Sequence, residues 1–208
     1  MNVTILRHGQ TVGNATGDYS TTANDVLSVY GYEQAERLIE GLAGYQFDVI
    51  YCSPLERALK TIAPYLRENG RSAEIWPELA EACWQADLTA PIPLRSNSAR
   101  PIIIEEQVAG LFTLLAGHTA LPYDDEVFQE GFARIDRAHE RLLARHSDTT
   151  DSVLVVCHGY LASRLIERFL EMPRSDDNRF SHDNTAVSFL EQLPNGVFRL
   201  QYLNKLLI

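Results

Sequence analysis

Apolar residues along this chain fall into short runs separated by polar turns, and the runs alternate between two periods. Residues 3–6 are a compact apolar run containing Val3 and Ile5, stopped by Arg7-His8-Gly9, and they predict a buried strand feeding a polar loop. Ala35, Leu38, Ile39 and Leu42 recur at the spacing of one helical face. A second strand is predicted over 48–52. Ser53-Pro54-Leu55-Glu56 then supplies a serine N-cap, a proline at the first helical position and a glutamate at the third, ahead of a helix ending near Asn69-Gly70. A third strand is predicted over 73–76. From Pro77 to about Tyr123 the pattern blurs, with Pro91, Pro93 and Pro101 interrupting it and room for one helix within 102–115. Periodicity returns as a long charged helix over 124–146, a strand buried on both faces over 153–157 and a helix over 160–170. The end of the chain reads as two strands, 186–191 and 197–202, reversing at Asn195-Gly196.

Strands alternating with helices predict an α/β fold: a mostly parallel sheet with helices on both faces and an antiparallel C-terminal edge. A length of 208 residues, against a soft prior of about 150 per domain, fits a single domain over 1–208 with an inserted cap over 84–125. The 45% apolar and 22% charged content is that of a folded globular protein. No apolar run approaches the roughly 18 residues of a membrane span, and the first residues lack a secretory layout, so the cytoplasm is the expected location. Cys52, Cys83 and Cys157, isolated and odd in number, fit small buried thiols in a reducing compartment. A net charge of −10 gives no electrostatic support for nucleic acid or anionic lipid as a partner. An anionic ligand must be small and held locally by a few arginines.

One small pattern occurs twice: a strand followed by His-Gly, at His8 and again at His158. In a parallel sheet the carboxyl ends of the strands share one edge, where ligands bind, so the two imidazoles meet in one site if their strands are neighbours. The glycines after them, Gly9 and Gly159, let the backbone turn sharply and approach a ligand. Arg7, beside the first histidine, and Arg57, early in the helix after the second strand, bring cations to the same edge. Cys157 precedes His158, but alternation along a strand turns it to the opposite face, into the core.

These residues resemble the histidine phosphatase superfamily, which includes cofactor-dependent phosphoglycerate mutases and many phosphomonoesterases. Leu6-Arg7-His8-Gly9-Gln10-Thr11 with Asn14 is similar to its opening signature, and Leu27-Ser28 with Gly31, Gln34 and Ala35 to its next block. Tyr51-Cys52-Ser53-Pro54-Leu55-Glu56-Arg57-Ala58 with Thr61 resembles the third block, and residues 77–81 resemble the segment bearing the proton donor. Residues 155–159 and Asn184-Thr185 resemble the last two. The likeness runs in order from 3 to about 190, with 84–125 unmatched.

The resemblance implies that His8 is a nucleophile that becomes phosphorylated, that Arg7, Arg57 and His158 hold the phosphoryl oxygens, and that Glu81 is the acid/base. Glu78, three residues earlier, is an alternative donor. Gln10, Asn14 and the backbone at Gly159 are further candidate contacts to the phosphate. Such a mechanism needs neither metal nor cofactor. The implied activity is hydrolysis of a small phosphorylated metabolite.

Two readings compete with it. A mutase is disfavoured by Ala82-Cys83-Trp84 and isolated Arg95 and Arg100, where that branch carries an Arg-His-Tyr-Gly-like stretch and paired arginines. A phospho-ligand-binding protein without turnover is the other. His139 and His146, two turns apart on one predicted helix, have no third metal ligand at fitting spacing and read as solvated. His118 and His182 fall in predicted loops. Apolar residues within 84–125 suggest a substrate with a nonpolar body, a homodimer surface, or core packing.

Overall fold

Val3, Ile5, Val153 and Val155 face one side of a central sheet, while Leu6, Ile50, Leu154 and Val156 face the other, so a period of two puts apolar side chains on both faces. In the computed structural model, which describes residues 1–19, 25–84, 101–117, 120 and 126–207, that sheet has seven strands. They are β1 (Asn2–Arg7), β2 (Val49–Cys52), β3 (Ala73–Ile75), β4 (Phe112–Leu114), β5 (Ser152–Cys157), β6 (Val187–Gln192) and β7 (Phe198–Lys205), in the spatial order β4-β3-β2-β5-β1-β6-β7. The first five run parallel, and β6 and β7 are antiparallel. This is the predicted α/β architecture with its antiparallel C-terminal edge. The reversal between β6 and β7 uses Gly196 at φ +85°, the left-handed conformation that glycine adopts without steric cost.

Among the described residues six helices connect the strands: α1 (Val12–Thr16), α2 (Val29–Gly41), α3 (Glu56–Glu68), α4 (Glu106–Ala109), α5 (Phe128–His146) and α6 (Gly159–Phe169). Leu38 of α2, Leu42 just after it, and Leu59, Ile62 and Leu66 of α3 pack with one sheet face; Phe132, Ile135 and Leu142 of α5 and Leu161, Leu165 and Phe169 of α6 pack with the other. Burying each such side chain contributes about 1.5–3 kcal/mol, which makes these two layers the main source of stability.

Three expectations are corrected. The N-cap of α3 is Leu55, without a side-chain bond of its own; Ser53 Oγ accepts from the Leu55 N–H at 3.2 Å and lies 2.7 Å from His158 Nε2. Part of the stretch read as an excursion joins the sheet: β4 pairs with β3 in parallel register, and the helix within 102–115 has only four residues. Residues 85–100, 118–119 and 121–125, which include Arg95, Arg100 and His118, lie outside the described residues. His146 is buried at 5% exposure, bonded to Tyr51 Oη (2.7 Å) and Asp151 Oδ2 (2.7 Å), while His139 packs edge-on against Phe169; neither is solvated.

Candidate active site

β1 and β5 are immediate neighbours in parallel register, with Arg7 opposite Cys157, so the chain leaves both strands at the same edge and the next residue of each is a histidine. The His8 N–H donates to the Cys157 carbonyl at 3.0 Å. The two rings lie with centroids 5.1 Å apart, inclined at 55°. Residues 150 positions apart in sequence therefore share one site. Cys157 itself is buried in the core and burial pushes its thiol up, against a nucleophilic role.

Hydrogen bonds fix the tautomer of each ring. His8 Nδ1 lies 2.7 Å from the Gly9 carbonyl, an acceptor only, so Nδ1 carries the proton and Nε2 keeps its lone pair. Arg57 Nε donates to His158 Nδ1 at 3.1 Å, which makes that nitrogen the acceptor and leaves the proton on Nε2, 2.7 Å from Ser53 Oγ. Burial, then Arg57 and Arg7, push His8 well below the ordinary imidazole range. Burial and Arg57 do the same to His158. Both rings are neutral at pH 7, and one has an open nucleophilic nitrogen.

The cations are held from behind. Arg57, 5% exposed on α3, pairs through Nη1 with Asp25 Oδ1 at 3.2 Å, and its backbone N–H reaches the same oxygen at 3.3 Å. Arg7 donates through Nη1 to the His182 carbonyl, and its buried Nε has no partner. A buried guanidinium N–H left open at a pocket edge suits an anionic ligand oxygen. His182, in its predicted loop, is buried, and burial followed by the charge of Arg7 pushes it down to about 4.

The loop after β1 is clamped to its neighbours. Gly9 N–H donates to Thr61 Oγ1 at 2.8 Å, Gln10 N–H to Gln34 Oε1 at 2.8 Å, and Gln10 Oε1 accepts from Ser28 Oγ at 2.8 Å. A Cβ at Gly31 would stand 2.0 Å from the Gln10 carbonyl oxygen, so glycine there is what allows α2 and the loop to touch. Asn14 Oδ1 accepts from Thr11 N–H (3.1 Å) and from Asn184 Nδ2 (3.2 Å), and Asn184 Nδ2 also reaches the His8 carbonyl at 3.0 Å. Gln10 and Asn14 thus shape the loop with their amide oxygens.

Glu81 stands on the irregular segment after a 3₁₀ turn over Pro77–Leu79, and its Oε1 accepts from the N–H groups of Leu161 (3.0 Å) and Ala82 (3.1 Å). Leu161 lies in the first turn of α6, whose N-cap His158 makes no side-chain cap bond, so this carboxylate meets a donor the helix leaves open. Burial pushes Glu81 above the ordinary carboxyl range, partly offset by Arg57. The Glu78 carboxylate is directed to Arg141 on α5 at 2.8 Å. Cys83 and Thr185, next to Glu81 and Asn184, have φ of 61° and 60°, a left-handed backbone that side chains other than glycine rarely adopt.

Sequence reasoning missed Asp25, the hydroxyl role of Ser53, and Arg134, which reaches the Glu81 segment from α5. Ser53 already has a sufficient local reading as a cap, and the partner of Asp25 lies 32 positions away. Among the described residues no group of three metal-ligating side chains converges.

Two neutral imidazoles, one buried and one partly buried guanidinium group and one protonatable carboxyl at the carboxyl edge of a parallel sheet form a site suited to a phosphoryl group. The model of the histidine phosphatase superfamily (branch 1) matches residues 3–205, and the chain belongs to that family. It is 33% identical over 196 residues to the adenosylcobalamin/alpha-ribazole phosphatase of Escherichia coli, covering 92% of this chain and 90% of the relative. The crystal structure of the alpha-ribazole phosphatase from Shigella flexneri superposes with a TM-score of 0.71 at 25% identity, covering 99% of this chain and 96% of the other. A 2,3-bisphosphoglycerate-dependent phosphoglycerate mutase of Methanococcus vannielii is 35% identical over 71 residues, 34% of this chain. The phosphatases match along the whole chain and the mutase along a third of it.

Proposed function

We propose that this protein hydrolyses a small phosphomonoester through a phosphohistidine on His8. The observation that carries the reading is the His8 tautomer: Nδ1–H on the Gly9 carbonyl leaves Nε2 unprotonated on a ring beside His158, with Arg57 and Arg7 as its charged neighbours. Nε2 attacks phosphorus as the ester oxygen departs in line. The transition state spreads charge over three equatorial oxygens, and fixed guanidinium N–H groups stabilise it without reorganising. The first-turn N–H of Gly159 at the start of α6 and the amide N–H groups of Gln10 and Asn14 supply further donors. Glu81, whose hold on a proton burial strengthens, gives that proton to the leaving oxygen and then takes one from the water that attacks the phosphohistidine. Glu78 is less suited, since Arg141 holds its carboxylate on the α5 side.

Metal is assigned no role in these steps. The three buried free thiols support a reducing, cytoplasmic location. The full-length likeness to alpha-ribazole phosphatases makes alpha-ribazole 5′-phosphate the first substrate to try. Mixing radiolabelled substrate with enzyme, quenching in alkali and locating the label on His8 tests the reading. Label absent from the protein while turnover proceeds would remove it, and phosphate or vanadate binding without any hydrolysis would favour a binding protein instead.

A further inference from the structure

The segment bearing Glu81 has almost no regular structure of its own. Between the 3₁₀ turn and Trp84 its carbonyls form no strand or helix ladder, so something else must fix them. Arg134, on α5 and only 4% exposed, fills that role with all five of its N–H groups. Nη1 donates to the carbonyls of Glu78 (2.9 Å) and Ala80 (2.6 Å). Nη2 donates to the Glu81 carbonyl (2.9 Å) and Glu126 Oε2 (2.6 Å), and Nε to Glu126 Oε1 (2.7 Å). The same face of α5 carries Gly131, where a Cβ would stand 2.9 Å from Cys83 Sγ and 3.2 Å from the Cys83 amide nitrogen. A glycine one turn before the arginine lets the helix approach closely enough for the guanidinium to reach across.

We propose that Arg134 is a positioning residue for the proton donor: braced by the two oxygens of Glu126, its guanidinium fixes the backbone at 78, 80 and 81 and thereby sets where the Glu81 carboxyl stands against the departing ester oxygen. The inference rests on the assignment of Glu81 above. Glu81 is then pinned at two points, its carbonyl by Arg134 and its Oε1 by the first turn of α6. Proton transfer is sensitive to donor placement at the scale of a fraction of an ångström, because a hydrogen bond to the leaving oxygen must form within about 2.6–3.2 Å. Lysine at 134 keeps the charge and loses the fork, so it cannot serve three carbonyls and a carboxylate together.

The distinguishing measurement is the dependence of kcat/KM on the leaving group, across phosphate monoesters from p-nitrophenyl phosphate (leaving-group pKa about 7) to simple alkyl phosphates (about 15). A good leaving group needs no proton, so a displaced donor harms only the poor ones. R134K is expected to lower kcat/KM for alkyl phosphates by about 30-fold or more and for p-nitrophenyl phosphate by less than about 3-fold. E81Q should show the same tilt more strongly, and the double variant should match E81Q rather than multiply the two losses. R164K is the matched control: Arg164, fully buried on α6, also holds carbonyls, at Asp176 and Asp177, but none on the Glu81 segment, so it should change stability without tilting the series. A uniform loss across the series in R134K, or losses that multiply with E81Q, would overturn the proposal. If R134K does not fold, E126Q, which removes charge from the brace alone, must give a smaller tilt of the same sign, and a uniform effect there overturns it equally. A flat series in E81Q itself would instead remove the Glu81 assignment and the clamp with it.

Discussion

The same sheet carries a histidine cluster at each end, and the two differ in what surrounds the rings. At the carboxyl edge, His8 uses one nitrogen on a backbone carbonyl and keeps the other open, with Arg57 and Arg7 as its charged neighbours. At the opposite edge, His146 has both nitrogens engaged, one by the Asp151 carboxylate and one by the Tyr51 hydroxyl. Both rings are buried. Burial of a histidine therefore says little about chemistry; an open ring nitrogen facing cations says much more. The His146 cluster ties α5 to β2 and to the start of β5, whereas the His8 cluster gathers two arginines around a ring with one nitrogen left over.

Breaking each cluster should separate these roles. H8A is expected to reduce kcat on any phosphomonoester by about a thousandfold or more with little change in melting temperature, measured by steady-state turnover and calorimetry. H146A should do the reverse: kcat within about 3-fold of the parent, but stability lower by about 2–4 kcal/mol in urea titrations, since Tyr51 and Asp151 lose their partner and a cavity opens. R57M, which removes a contact proposed for the transition state, should cost about a hundredfold in kcat/KM. S53A, which removes the partner of His158 Nε2 and the acceptor of the Leu55 N–H, should cost about tenfold.

pH sharpens the comparison. Nucleophilic His8 exists above its depressed pKa and protonated Glu81 below its raised one, so hydrolysis of alkyl phosphates should fall as pH rises through the Glu81 pKa, while the acid limb lies below 6.5. Stability has its own window. His182 binds its proton near pH 4 when folded and near 6.5 when unfolded, so the unfolded state takes up more protons between those values and stability is lost as pH falls from 6.5. The full effect of this one residue approaches about 3 kcal/mol at pH 4, and H182Q should flatten that part of the curve in denaturant titrations.

Most of the scaffold was legible because burial on both sheet faces forces apolar runs into β1, β2 and β5, and one-sided burial forces helical spacing into α2, α5 and α6. The meeting of His8 and His158 followed from strand adjacency and the shared carboxyl edge. What stayed hidden depends on contacts that leave no local period. β4 has three residues and pairs through its backbone, which any sequence can do. Asp25 and Arg134 act across 32 and about 50 positions through side chains that read singly as ordinary charged residues. Ser53 shows how a sufficient local explanation can mask a long-range one: a serine before proline reads as a helix cap, yet its hydroxyl lies against His158.

Asp25 has one more consequence. Its carboxylate already rests on the guanidinium expected to receive a phosphate oxygen, so any dianion arriving there does so beside a fixed negative charge, at a Coulombic cost of order 1 kcal/mol. A grip loosened by that amount favours discharge of inorganic phosphate after each turnover, and it predicts that product inhibition deepens by about fivefold once the acid is made an amide.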